Sequence, residues 1–294
     1  MKTFSRIATT ALLAAGIALA GVSAAAAQSG KTVKIGWTAW SDAEFVTKLF
    51  KSLVEARTDY TVKLQMSAIG VQYQGVANGD LDAMLMAWLP DTHADYYDKF
   101  ENDVENLGTL YEDARLGWVV PSYVPKDKLA SISDLKKPGI ADKLSGKIQG
   151  IDPGAGLMQL SNKTMDAYDL GDSYRLVSAS GAAMTAALSR AYDNKDWIVV
   201  TGWTPHWMFG KWDLRFLKDS KGTLGKAQHI DALGRDGFSE AYPQLAGVLA
   251  NMHIPLADLQ AAMYAARQSG YDTAIADFVD SHSDLVDSWF ADDK

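Results

Sequence analysis

The sequence contains no cysteine. That excludes disulfide staples, thiolate metal sites, thiol nucleophiles and a lipid-attachment cysteine. A chain of 294 residues can bury a core large enough to do without cross-links. Histidine is scarce. His93, His206, His229, His253 and His282 are scattered with no HExxH spacing, so no metal site is expected. Basic residues are outnumbered, 28 against 36 acidic ones, for a net charge of −8. That balance disfavours nucleic acid and anionic membranes as partners, since both attract basic patches. Beyond the N-terminal segment no apolar run approaches the roughly 20 residues that a membrane span needs. There is no G-x-S-x-G elbow and no P-loop, because Gly225-Lys226 lacks the earlier glycine and the following Ser/Thr. Gly171-Asp172-Ser173 sits in a helix-to-strand connection. No cofactor and no catalytic constellation are expected.

At the N-terminus, Lys2 and Arg6 precede an apolar run from Ala11 to Val22. Ser23 and Ala24 to Ala27 then supply small residues for cleavage before Gln28. This reads as a secretory signal peptide over 1–27, too short in its apolar part to anchor. An exported chain without a lipid anchor needs an outer membrane to retain it, so a Gram-negative periplasm is the expected compartment.

Downstream, short apolar runs alternate with amphipathic stretches. Strands are expected at 33–40, 61–66, 81–88, 116–124, 147–152, 174–178 and 196–202. Helices are expected at 42–56, 71–77, 156–167 and 181–192, with a helical tail from about 238 to 290. Alternating strands and helices imply an α/β fold with mainly parallel sheets flanked by helices. The pattern runs twice, which predicts two lobes. Lobe 1 is placed at 28–120 plus 225–294, and lobe 2 at 121–224. Pro121, Pro125 and Pro138-Gly139 mark the first crossing, and Asp219 to Gly225 the return.

The abundance lies in tryptophan, of which there are nine. Trp40, Trp88 and Trp203 each fall at or just after the end of an expected strand. In open α/β sheets ligands bind beyond the carboxyl ends of the strands. Two of these indoles belong to the first lobe and one to the second, so they can meet across a cleft. Each alone also suits core packing. Asp152-Pro153-Gly154-Ala155-Gly156-Leu157 follows a strand and opens a helix, whose first N–H groups lack intrahelical partners and favour an anion. Position 159 is Gln159, so this is no dinucleotide fingerprint, and an ordinary glycine-rich turn is the plainer reading. Indole faces attract a diffuse cation. A betaine carries both such a cation and a carboxylate. Asp42, Asp91 and Asp152 follow strand ends, with Asp42 and Asp152 read as helix caps or turn formers. His206 is expected to fix the loop carrying Trp203, or to pack.

Six segments carry a family resemblance: GWTAWSDAE (36–44), GVANGDLDAMLMAWLPDTH (75–93), LGWVVPSYV (116–124), GIDPGAGLMQLSNKTMDAY (150–168), LVSASGAAMTAAL (176–188) and IVVTGWTPHWMF (198–209). They resemble the glycine betaine-binding subunits of ABC transporters, the OpuAC-like substrate-binding domains. AWLP-x-TH and GWTPHW are the specific motifs. The resemblance implies a two-lobed periplasmic binding protein of type II-like clamshell form, monomeric and non-catalytic, which delivers a betaine to a membrane permease. It maps a three-indole cage onto Trp40, Trp88 and Trp203, carboxylate-binding amides onto Gly156 and Leu157, and a cleft histidine onto His93. Choline, carnitine or dimethylsulfoniopropionate are alternative ligands, and an enzyme acting on such a compound is a further alternative. Trp37 and Trp118 depart from the family pattern, and the sequence leaves their roles open.

Overall fold

The computed structural model describes residues 31–291, so the signal peptide expected over 1–27 lies outside the described residues. The strands are β1 (Thr32–Trp37), β2 (Thr61–Met66), β3 (Ala83–Leu89), β4 (Val104–Pro121), β5 (Lys147–Gln149), β6 (Arg175–Val177), β7 (Val200–Thr204), β8 (Leu214–Phe216) and β9 (Gln228–Arg235). The helices are α1 (Ser41–Arg57), α2 (Ile69–Ala77), α3 (Ala94–Phe100), α4 (Ile140–Lys143), α5 (Gly156–Ala167), α6 (Gly181–Asn194), α7 (Met208–Lys211), α8 (Phe238–Ala241), α9 (Pro243–Asn251), α10 (Leu256–Ser269), α11 (Tyr271–Ser281) and α12 (Ser283–Trp289).

These strands run in the order β2-β1-β3-β9-β4-β7-β5-β6, with β8 pairing to β4. Two parallel triplets, β2-β1-β3 and β6-β5-β7, form the two lobes. They are joined by β4 and β9, which run antiparallel to their neighbours. Each lobe is therefore mixed: the long-range crossings contribute the antiparallel pairs that the alternating pattern did not foretell. β4 pairs with β9 as far as Ala114 and with β7 from Arg115 onward. The chain thus changes lobe inside one 18-residue strand, several residues before Pro121.

Helix α1 shows why the first lobe folds as it does. Its buried positions Phe45, Val46, Leu49, Phe50, Leu53 and Val54 follow the helical period and face the sheet. Glu44–Lys48 and Lys51–Glu55 pair at i,i+4 on the wetter side. Strand β3, AMLMAWL, is buried at every position because helices cover both sheet faces. No helix among the described residues is long and apolar enough to cross a membrane.

Candidate functional site

The three indoles meet in one cavity. Trp40, Trp88 and Trp203 line it together with Thr92, His93, Leu116, Ile151, Ala155, Gly156 and Leu157. All three rings are nearly inaccessible from outside. Trp40 precedes the first residue of α1, Trp88 lies near the end of β3, and Trp203 lies in β7 of the other lobe. Every residue singled out as ligand-binding in the sequence lines this cavity.

What turns these rings is Asp42, fully buried in the first turn of α1. The Trp203 indole N–H donates to its Oδ1 at 2.9 Å. The Trp88 indole N–H donates to Oδ2 at 3.2 Å, and the Tyr111 hydroxyl donates to the same oxygen at 2.7 Å. Burial raises the Asp42 pKa above the ordinary carboxylate value, and the donors from Tyr111, Trp203 and Trp88 oppose that rise. The sequence reading of Asp42 as a cap is overturned. Trp40 occupies the N-cap position, and no side chain caps α1. Asp152 plays the same part for the third ring, accepting the Trp40 indole N–H on Oδ2 at 3.1 Å. All three indole N–H groups therefore bond to carboxylates outside the cavity lining. An indole that donates to a carboxylate gains electron density, which strengthens the attraction of its face for a cation.

The start of α5 also lines the cavity. The Gly156 and Leu157 N–H groups have no intrahelical acceptor there and carry the positive end of the helix dipole. His93 adds a side chain. Its Nδ1 accepts the Trp88 backbone N–H at 3.1 Å, so the ring proton resides on Nε2. Burial pushes the imidazole pKa down to about 3, which keeps it neutral. Nε2 is buried without a hydrogen-bond partner.

The lobes touch around the cavity. The Tyr96 hydroxyl donates to the Gly154 carbonyl at 2.8 Å, and Gln159 Nε2 donates to the Tyr96 hydroxyl at 3.3 Å. A Cβ placed on Gly156 would lie 2.0 Å from the Thr92 carbonyl oxygen, so glycine there permits close approach of the lobes. His206 packs edge-on against Trp203 at 4.6 Å between ring centroids, and its Nδ1 accepts the Met208 N–H at 3.0 Å. It packs on Trp203, which lies in β7 and not in a loop, and ties the turn after that strand to the start of α7.

Trp118 does not line the cavity. It is fully buried and donates its indole N–H to Ser161 Oγ on α5 at 3.0 Å. Trp37 ends β1 and is likewise absent from the lining. Neither contributes to the lining of the pocket. Sequence reasoning missed Thr92, Leu116, Ile151 and the orienting trio of Asp42, Tyr111 and Asp152. Among the described residues no group of His, Asp and Glu is arranged to hold a metal.

The comparisons agree with one another. A glycine betaine/carnitine transport binding protein, GbuC, of Listeria monocytogenes is 37% identical over 156 residues, covering 52% of this chain and 52% of that protein. The chain thus matches about half of that relative's length. The glycine betaine-binding periplasmic protein OusX of Dickeya dadantii is 25% identical, covering 88% of this chain and 89% of its own. Lactococcal OpuAC, in its closed-liganded conformation with glycine betaine, superposes with a TM-score of 0.82 at 34% identity, covering 89% of this chain and all of that one. These relatives are transport binding proteins. The profile of the substrate-binding domain of ABC-type glycine betaine transport systems, OpuAC, matches residues 31–281, and the chain belongs to that family.

Proposed function

We propose that this protein is the periplasmic capture component of an ABC importer, and that its ligand is glycine betaine or a close onium zwitterion. One observation carries the reading: a single cavity is lined by three indoles together with the start of α5 and two residues, Thr92 and His93, that hold unpaired polar atoms. A trimethylammonium has no N–H to donate, so it gains little from a carboxylate contact and much from electron-rich faces. Its desolvation cost is low because its charge is diffuse. The carboxylate then accepts from the Gly156 and Leu157 amides and from His93 Nε2.

Each end of the ligand draws on both lobes. Trp40, Trp88 and His93 come from lobe 1, and Trp203, Gly156 and Leu157 from lobe 2. Contacts divided in this way exist together only when the lobes are closed, which gives the closed state the higher affinity that closure requires. The closed protein then presents itself as a monomer to a membrane permease. The ligand leaves chemically unchanged, since no nucleophile–base pair faces the cavity.

Calorimetric titration with glycine betaine, choline and 3,3-dimethylbutanoate tests the reading. Glycine betaine binds, choline binds more weakly because it lacks the carboxylate, and the carbon isostere binds weakest because it lacks the cation. Absence of heat and of any tryptophan fluorescence change at millimolar glycine betaine would reject it. Equal affinity for the isostere would replace cation attraction with plain apolar packing.

A further inference from the structure

We infer that Thr92 is a ligand-binding residue whose hydroxyl completes the anion end of the cavity. The inference rests on the reading of the cavity as a betaine site and adds a donor to it.

The indole N–H groups of Trp40, Trp88 and Trp203 are all engaged by Asp42 and Asp152. Apart from those rings, the polar side chains in the lining are Thr92 and His93. Both are buried, and both hold a polar atom without a partner, Thr92 Oγ1 and His93 Nε2. A buried hydroxyl left unpaired costs about 1–3 kcal/mol. Other buried side-chain atoms also lack a partner, Thr47 Oγ1, Thr201 Oγ1 and Gln228 Nε2 among them, but of the residues that hold them Thr92 and His93 are the two that line the cavity, where a ligand can supply the missing bond.

Position supports the same conclusion. The Thr92 carbonyl and methyl group lie against Gly156, so Thr92 stands beside the start of α5 with its hydroxyl on the other branch of Cβ. A carboxylate held by the α5 amides is thereby brought beside the threonine. The backbone of Thr92 is also fixed from behind: its N–H donates to Gln228 Oε1 at 2.9 Å, and Gln228 is the first residue of the returning strand β9. The site is therefore built on the segment that joins the lobes. A carboxylate bonded to α5 on one side and to Thr92 and His93 on the other ties lobe 2 to lobe 1 directly.

The test compares Thr92→Val, which keeps the shape and removes the hydroxyl, with Thr92→Ser, which keeps the hydroxyl. Glycine betaine affinity is measured by calorimetry, and the ligand-free melting temperature by circular dichroism. Thr92→Val should weaken glycine betaine by roughly 10-fold or more, as loss of a hydrogen bond to a charged group does. Its ligand-free melting temperature should hold, because the hydroxyl makes no hydrogen bond within the protein. Thr92→Ser should bind within a few-fold of wild type. Unchanged affinity in Thr92→Val, or an affinity loss accompanied by a lower ligand-free melting temperature, would overturn the inference while leaving the betaine reading intact. Failure of the wild-type protein to bind glycine betaine would instead overturn that reading, and the role of Thr92 with it.

Discussion

Trp203 of one lobe donates its indole N–H to Oδ1 of Asp42 in the other, at 2.9 Å, and that bond sets the angle at which the ring closes the cavity. Trp88 and Tyr111 reach the second oxygen of the same carboxylate. Asp42→Asn preserves the volume but replaces one acceptor with an NH₂ group that meets a donor from Trp88 and Tyr111 or from Trp203. Asp42→Ala leaves three buried donors orphaned, each at a cost of about 1–3 kcal/mol. Both variants should lower the urea midpoint. Asp42→Asn should also weaken glycine betaine by roughly 10-fold, because the rings lose their orientation and the charge behind them. Undiminished binding by a folded Asp42→Asn protein would remove the orienting role.

The faces themselves are tested by truncation. A desolvated cation on an indole is worth about 2 kcal/mol. Trp203→Ala should therefore weaken glycine betaine by more than 10-fold, and Trp203→Phe by less, since a ring remains. Phenylalanine has no N–H for Asp42, so its residual loss measures the orienting bond together with the weaker ring. Trp40→Ala and Trp88→Ala should behave like Trp203→Ala. Full affinity in all three alanine variants would refute the cage.

Much of this arrangement is legible in the sequence, for particular reasons. Strand 61–66 and helix 156–167 coincide with β2 and α5, because an apolar run or an amphipathic period is bounded there by turn residues. The cage residues stand out because tryptophan at a strand end is a rare coincidence in an open α/β sheet. The crossing strands do not stand out. The first half of β4, ENLGTLYEDAR, alternates poorly and is half exposed, and its pairing with β9 slips at three irregular points. The β9 segment itself, QHIDALGR, contains too few consecutive apolar residues to announce a strand. Asp42 is misread for a deeper reason. An acidic residue in the first turn of a helix is well explained by the dipole alone, so nothing local reveals two indoles arriving from 46 and 161 residues away. Asp152 reads as a turn former on the same grounds.

Gly156 offers a test of closure as opposed to binding chemistry. An added Cβ would lie 2.0 Å from the Thr92 carbonyl oxygen, well inside contact distance, and the obstacle is backbone that cannot swing aside. In the open protein the two lobes are apart and that clash is absent. Gly156→Ala should thus leave the ligand-free melting temperature near that of wild type. Ligand affinity should fall roughly 100-fold, the equivalent of about 2.7 kcal/mol. Small-angle scattering should show that saturating glycine betaine compacts the wild-type protein and fails to compact the variant. A compact, tightly bound Gly156→Ala complex would mean that Thr92 and residue 156 can separate without loss.

Acid should destabilise the protein through two histidines. Burial pushes both His93 and His206 down to about 3, with Arg267 adding to the effect at His206. The unfolded chain binds these protons near pH 6.5 and the folded chain does not. Their contribution is intact above about pH 6.5 and is lost as pH falls toward 3, at about 1.4 kcal/mol per pH unit for each histidine. Asp42 acts in the opposite sense. Its folded pKa is raised, so it takes up a proton more readily in the native state, and acidification favours folding at that one site. Glu55, Glu105, Asp134 and Asp219, held below their ordinary values by hydrogen bonds, also lose stability on acidification, so they add to the histidines' loss. Urea midpoints of the ligand-free protein should fall between pH 7 and pH 5. His206→Asn, whose side-chain oxygen can accept the Met208 N–H in place of Nδ1, should flatten that dependence by about 1.4 kcal/mol per pH unit below about pH 6. An unaltered slope in His206→Asn and in His93→Asn would show that both imidazoles are protonated in the native state at pH 5, and that their burial is incomplete in solution.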